Sequence, residues 1–411
     1  MSLIFISLSL FTVSWDRLAT AEIAGMSLKL TIVCGWIAFA ATFWPIKGSF
    51  VAIRRPIVLY MGLVLVAYLA VRGIFTEHPR DALIEVATTF SGKIVLFWAL
   101  IRAVRSKSDL VVALNWFIRG GVVAALFGIY QLVAFYVGIP QFITYTGTGG
   151  DGGMGRIASF SYEPAYFGYF LLLVLGALVA RSRLTHKPFS PLILGLLLVT
   201  ILLVNSRGVY FILPVLLVAL QIWDKELMTR KARISLAASI AALVLLSLVF
   251  FQSAWRSILH WISTAFDPSE TSSNAVRLGL FDNAGDTIAS SPIFGVGPGQ
   301  FYHEAVKLGL DAGGDNASLA TANNIFLQSM LDGGVILTLL QLVFIGSIVF
   351  FFVVRGSTPV RSLALTYLIV LIMAGFVISN FYESKMWLVL GLVTALARFA
   401  PKSSKEVQGA E

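Results

Sequence analysis

The stretch Pro292-Ile293-Phe294-Gly295-Val296-Gly297-Pro298-Gly299 sits inside the only long polar segment of the chain, residues 253–322. On both sides of that segment the sequence is strongly apolar. Three glycines and two prolines among eight residues demand special backbone angles, so the stretch reads as a structured turn. A lone glycine-rich turn is weak evidence for phosphate binding. The polar segment runs from Ser253 to Ala322 and ends on Thr321-Ala322-Asn323-Asn324, where the chain turns apolar again. The fold is decided by this contrast of one loop against a chain of apolar runs.

The 411 residues are 58% hydrophobic and 12% charged, with mean hydropathy +0.87. These values lie far outside the soluble range. Apolar stretches of about 20 residues recur along nearly the whole length, as membrane-spanning helices require. Alternating segments of about 10 residues, the mark of a membrane β-barrel, are missing. The reading is an all-α polytopic membrane protein with about twelve transmembrane helices and one large outer loop containing short helices. The spans fall near 2–14, 27–45, 57–73, 86–103, 109–138, 160–180, 190–204, 208–222, 234–252, 323–353, 360–379 and 384–399. This divides the chain into N-terminal membrane helices (1–252), the large loop (253–322), C-terminal membrane helices (323–399) and a polar tail (400–411), expected to be disordered.

The net charge of +9 lies in short loops between the spans and is no nucleic-acid signature. One set of loops carries Lys47, Arg54, Arg55, Arg102, Arg105, Lys107, Arg181, Arg183, Lys187, Lys225, Arg230, Lys231, Arg233, Arg355, Arg361, Arg398, Lys402 and Lys405. The other carries Arg17, Arg80, Arg156, Arg207, Arg256, Arg277, Lys307 and Lys385. The excess falls on every second loop, which puts both termini in the cytoplasm and the 253–322 loop outside, periplasmic in a Gram-negative cell. The apolar run Leu3–Val13 followed by Ala19-Thr20-Ala21 resembles a signal peptide, but no Lys or Arg precedes it. It reads as the first membrane helix. A single cysteine, Cys34, rules out an internal disulfide and a thiolate cluster. The four histidines, His78, His186, His260 and His303, lack metal-ligand spacing, so no metal is expected. There is no Gly-Lys-Ser/Thr nucleotide loop, no internal repeat and no cofactor signature.

The residues able to carry chemistry all fall on the outer side. Asn205-Ser206-Arg207-Gly208 forms a tight turn between two spans, and Arg207 there either snorkels to the surface or binds an anion. Arg277 follows the potential caps Ser272-Ser273-Asn274, with Phe281, Ala284 and Ile288 at i+4, i+7 and i+11. It lies on the apolar face of an amphipathic helix expected to rest on the membrane. It either meets a headgroup phosphate or grips a substrate diphosphate, for which the guanidinium fork is suited. Asn323 or Asn324 caps the next helix, and Asn324 shares a face with Gln328. Amides at a membrane rim can also orient sugar hydroxyls. Arg156 closes the glycine-rich loop Gly147–Gly155. Ser161-Tyr162-Glu163-Pro164 then opens the sixth span, with Pro164 in the first helical turn. Glu163 either complements the helix N-terminus or, raised in pKa by burial, takes a proton from an acceptor hydroxyl. Arg72, Lys93, Arg119 and Glu383 are further charges in or near spans.

Taken in order, the Ser206-Arg207-Gly208 turn, the Arg277–Phe301 block with its Pro-Ile-Phe-Gly-Val-Gly, and the Asn324–Gly334 block resemble the shared core of the O-antigen ligase/Wzy polymerase superfamily of membrane glycosyltransferases. The match covers the second half of the chain, and the span count suits the whole. The resemblance implies an undecaprenyl-diphosphate-linked oligosaccharide as donor, used outside the inner membrane without metal or nucleotide sugar. It also implies that Arg207 and Arg277 hold the donor diphosphate. In the ligases a histidine precedes the asparagine of the helix-start motif and is thought to be the base. Here that position is Asn323, which cannot act as one. Glu163 is then the expected base, with His303 next. Arg156, His303, Asn323, Asn324 and Gln328 are expected to contact substrate. The resulting expectation is an inverting repeat-unit polymerase working with the bilayer, its lipid-linked substrate and a chain-length regulator. A ligase with the same donor is the alternative, and a transporter or flippase the second.

Overall fold

The computed structural model describes residues 1–18, 20–23, 26–43, 57–143, 156–223, 273–307, 322–379, 381 and 383–399. The expected span at 234–252, the whole 253–272 stretch and the 400–411 tail lie outside the described residues.

The described residues are almost all helical. In order they form α1 (Ser2–Thr12), β1 (Thr20–Ile23), β2 (Met26–Lys29), α2 (Leu30–Ala41) and α3 (Ile57–Ile74). Then come α4 (Pro79–Ala103), α5 (Lys107–Val137), α6 (Pro164–Thr185), α7 (Pro191–Leu203) and α8 (Arg207–Trp223). The second half holds α9 (Ser273–Ser290), α10 (Phe301–Lys307), α11 (Ile325–Val354), α12 (Thr358–Ala374) and α13 (Ser384–Phe399). Four of these helices, α4, α5, α6 and α11, are long and apolar enough to cross a membrane, and shorter apolar helices accompany them. The chain is a multi-pass membrane protein.

Local signals set the helix ends. Ser106 and Asp109 form a reciprocal capping box at the start of α5: the Asp109 N–H donates to Ser106 Oγ (3.1 Å) and the Ser106 N–H to Asp109 Oδ2 (3.0 Å). That helix stops at Gly138, whose φ of +76° a side chain would resist. Prolines sit in the first turns of α4, α6, α7 and α12, where their missing N–H costs nothing. Irregular turns break three helices: π-helical segments at Phe90–Val95, Val349–Val354 and Val370–Ala374.

One expectation is corrected. The apolar run from residue 27 does not begin a helix, because the backbone stays extended to Lys29 and pairs with β1 in the register Thr20↔Lys29. Only Ala24 and Gly25 separate the two strands, and a two-residue link with glycine suits a hairpin. Helical periodicity read from residue 27 onward misses it.

Helix α6 is the hub. Every residue from Phe167 to Ala180 is buried, as expected for a helix apolar all round. It packs against α12 and α5, while α1 packs on α2 and α5, α13 on α4, and α11 on α3. In a bilayer the drive for such contacts is close packing more than escape from water. Gly176 shows it: a Cβ there would lie 2.4 Å from Thr366 Oγ1, so α6 and α12 approach at backbone distance.

Polar contacts gather at two ends of the bundle. At one end Arg102 lies 4.7 Å over the Phe43 ring, Arg398 donates to Ile101 O (2.7 Å) and Arg181 to Asn115 Oδ1 (2.5 Å). At the other, the Arg17 N–H donates to Phe160 O (3.0 Å) and Arg156 Nε to Asn205 O (3.1 Å). The described part of the 253–322 loop belongs to this second end.

Candidate functional site

The loop is locked into the bundle where helix α11 breaks. Gly334 has φ +65° and ψ −158°, so the helical ladder is interrupted at Asp332-Gly333-Gly334. The bond that Val335 N–H would make to Leu331 O is replaced. Val335 N–H donates instead to Pro292 O (3.0 Å), and Leu331 O accepts from Val296 (2.8 Å) and Gly297 (3.2 Å). The Pro292–Gly299 turn is therefore spliced into the hydrogen-bond ladder of a membrane helix. Both freed backbone groups find partners, as a buried break requires.

Helix α3 and the corner that follows it clamp the same turn. Arg72 Nε donates to Phe294 O (2.9 Å) and Nη2 to Gly295 O (2.7 Å), while the Tyr68 hydroxyl donates to Gly333 O (2.8 Å). Gln300 holds the His78 backbone from both sides, accepting from its N–H (3.1 Å) and donating to its C=O (3.2 Å). His303, on the short helix α10, puts Nε2 2.9 Å from Asp81 Oδ2, and its ring stacks on His78 with centroids 3.9 Å apart. A carboxylate only accepts, so Nε2 carries the hydrogen and Nδ1 of the neutral ring is the acceptor.

Helix α9 is present at Ser273–Ser290, and among its described side chains the buried ones are Asn283, Ala284 and Thr287, with Ile288 half-buried. Around Ala284 and Ile288 this face does not rest on the membrane. It packs on Phe301 and Tyr302 of α10 and on Leu327 and Leu331 of α11, because these close the small core under the loop. Helix α9 carries Arg277, and α8 begins at Arg207, but the side chains of both arginines lie outside the described residues. Arg156 donates to the carbonyl of Asn205, so the sixth-span loop meets the turn that leads into Arg207.

At the head of α11, Asn324 is the cap: its Oδ1 accepts from Phe326 (2.9 Å) and Leu327 (3.1 Å). Asn323 precedes it in a left-handed conformation, φ +50°. Gln328 is buried, accepting from the Ala322 N–H (2.8 Å) and donating to Asp332 Oδ1 (2.9 Å). Its amide is thus engaged inside the protein, tying the loop's exit to the break in α11.

Glu163 is the clearest departure from expectation. Ser161 turns fully inward, while Tyr162 and Glu163 turn out and are exposed. The buried setting expected for a general base is therefore not there, and the side chain does not cap α6. Against the rings of Tyr162 and Tyr166 lies a charge cluster that the sequence does not display as a unit: Asp16, Lys29, Glu383 and Lys385. Burial works to lower the Lys29 pKa, but the Asp16 carboxylate 2.6 Å away outweighs it and holds the ammonium above its ordinary value. Among the described residues no group of three His, Cys, Asp or Glu side chains could hold a metal ion.

Sequence spacing also misses Tyr68, Asp81 and Gln300, whose partners lie more than two hundred positions away. The structure thus gathers the turn, the α11 head, Arg72, Asp81 and His303 into one assembly. Arg156 and the Arg207 turn form a second contact, and Glu163 with the cluster beside Tyr162 a third.

No curated protein matches the chain. Residues 192–342 match the family model described as O-antigen ligase. That range contains the Arg207 turn, α9 with Arg277, the Pro292–Gly299 turn, His303, the α11 head and the break at Gly334. Over these residues the chain is similar to the O-antigen ligase family, which supports the O-antigen ligase/Wzy superfamily for this part of the sequence.

Proposed function

We propose that the protein is a polysaccharide repeat-unit polymerase. It transfers a glycan chain from a lipid diphosphate, with undecaprenyl diphosphate as the carrier, to a sugar hydroxyl of a second lipid-linked unit. The acceptor oxygen attacks the anomeric carbon opposite the diphosphate, the bond to the diphosphate oxygen breaks, and the configuration inverts. Arg207 and Arg277 stabilise charge on the departing diphosphate. The acceptor proton passes to Glu163. Arg156, His303, Asn323, Asn324 and Gln328 line or shape the substrate path. The work is done at the periplasmic face of the inner membrane, with about twelve spans and both termini in the cytoplasm. A chain-length regulator is the expected protein partner.

The observation that carries this reading is the splice of the Pro292–Gly299 turn into the break of α11. It ties the helix bearing Arg277 to the helix head bearing Asn323 at one end of the bundle, as a surface enzyme needs. Polymerase is favoured over ligase because Asn323 occupies the position where the ligases place a histidine.

The test is deletion of the gene in its host, complemented by wild-type and Arg277→Ala protein, with lipid-linked and surface glycans resolved on gels. Loss of the long ladder with single repeat units still made and attached is the expected result. A ladder that persists on the carrier lipid but never reaches its final acceptor would assign the ligase reaction instead. No change in glycans would overturn both and bring transport of a lipid-linked sugar forward.

A further inference from the structure

At the start of α6, charges from three distant segments converge. Lys29 Nζ lies 2.6 Å from one oxygen of Asp16, and Lys385 Nζ lies 3.8 Å from the other. Lys385 also meets Glu383 Oε2 at 2.5 Å. The two ammonium groups sit 5.2 Å and 5.3 Å from the ring centroids of Tyr162 and Tyr166. Trp15 joins through its ring, 5.5 Å from that of Phe160.

Five polar atoms of these segments are buried without a hydrogen-bond partner: Ser14 Oγ, Trp15 Nε1, Ser161 Oγ, Glu383 Oε1 and Lys385 Nζ, the last held by ion pairs alone. Ser161 is 0% and Ser14 1% exposed. Buried polar groups are nearly always hydrogen-bonded, so a concentration of unpartnered ones needs a cause. Charged groups near a membrane span are costly unless they are used.

The chemistry of the unpartnered atoms limits the ligand. The indole N–H and the Lys385 ammonium only donate, the carboxylate oxygen only accepts, and the two hydroxyls do both. The charges are already matched, two cations against two anions. Lys93, the next cation inward, faces Glu85 and Asp332. The cluster therefore offers no net positive charge to a diphosphate. What fits is an uncharged group carrying several hydroxyls beside an aromatic face.

We propose that Ser14, Trp15, Ser161 and Glu383, framed by the Asp16–Lys29–Lys385 ion pairs, form a subsite for an uncharged sugar residue of the lipid-linked glycan. The exposed ring of Tyr162 covers the subsite and is displaced on binding. The inference rests on the glycosyltransferase reading for its substrate. It places the sugar near Glu163, while the arginines hold the diphosphate elsewhere.

The test uses the full chain in detergent and the host's single repeat unit on a short alkyl aglycone. This probe has no diphosphate, so it can accept but not donate. Binding is measured by calorimetry, and transfer from the natural lipid-diphosphate donor by initial rates. Trp15→Phe and Ser161→Ala remove one unpartnered atom each. Neither atom has a protein partner, so a purely structural role predicts equal or higher thermal stability and unchanged binding. The subsite predicts about 5- to 10-fold weaker probe binding in each variant, the loss of one hydrogen bond, with the acceptor KM rising by the same factor. A rise confined to the donor KM would support the subsite and assign the sugar to the donor chain. Equal probe binding and equal KM values for both substrates in folded variants would overturn the proposal. If wild-type protein transfers nothing, the enzymatic reading fails, and calorimetry with the probe still decides the subsite.

Discussion

Gly295 and Gly334 meet with no room for a side chain on either. A Cβ on Gly295 would lie 2.4 Å from Leu331 O and 2.7 Å from Gly334 N, and one on Gly334 would lie 2.2 Å from Ile293 O. Both residues have positive φ, +67° and +65°. Gly295→Ala or Gly334→Ala is therefore predicted to unseat the turn, at a cost of about 1–3 kcal/mol each. Thermal unfolding in detergent would read the loss, and long glycan should fall with it in complemented cells. An alanine variant with wild-type melting and full-length product would show that the splice is dispensable.

Arg72 is predicted to be as important to the turn as the glycines are. Its fork reaches two successive carbonyls, Phe294 O and Gly295 O. Arg72→Ala should cost about 1.5–3 kcal/mol, the range for hydrogen bonds from a charged donor. Arg72→Lys should recover only part, because an ammonium cannot copy the planar geometry. Comparing the melting of the two variants checks this. Equal behaviour of the lysine and alanine variants would mean that the fork is not what holds the turn.

What the sequence reveals and what it hides follow from the range of each interaction. Apolar run length is local, and so are the capping signals, so the helix at 273–290 and the cap at Asn324 are readable directly. Arg72 reads only as a charge near a span, since its acceptors in the turn are 222 and 223 positions away. Asp81 and His303 are likewise 222 apart. Glu163 misleads for another reason. In Ser161-Tyr162-Glu163 the chain turns over between neighbours, burying the serine and exposing the acid, and no periodicity encodes that reversal.

The Lys29–Asp16 pair predicts an alkaline limit to stability. The folded-state pKa of Lys29 is raised above the ordinary 10.5. Its contribution is therefore fully present below that ordinary value and is lost as pH rises through the folded value. Wild-type protein should lose melting temperature above about pH 10.5 more steeply than Asp16→Asn, in which the raising partner is gone. Parallel profiles would show that the pair does not couple to folding.

The proton acceptor is decided between two outer residues in different surroundings. Glu163 is exposed, with nothing in its own helix holding it. His303 is oriented by Asp81 at 2.9 Å, with Nδ1 as its acceptor. A general base contributes about 10²–10⁴-fold, so Glu163→Gln is predicted to lower the transfer rate by that order while leaving single-unit supply intact. His303→Asn and Asp81→Asn should then have smaller effects, felt through the fit of α10 against α4. The opposite pattern, with Glu163→Gln at full rate and chain length and His303→Asn inactive, would move the base to His303. Asp81→Asn would then lower the rate less than His303→Asn does, because a neutral amide still orients the ring but stabilises its protonated form less well. Rates for all three variants over a range of pH separate the cases, since only loss of the true base removes the acidic limb of the profile.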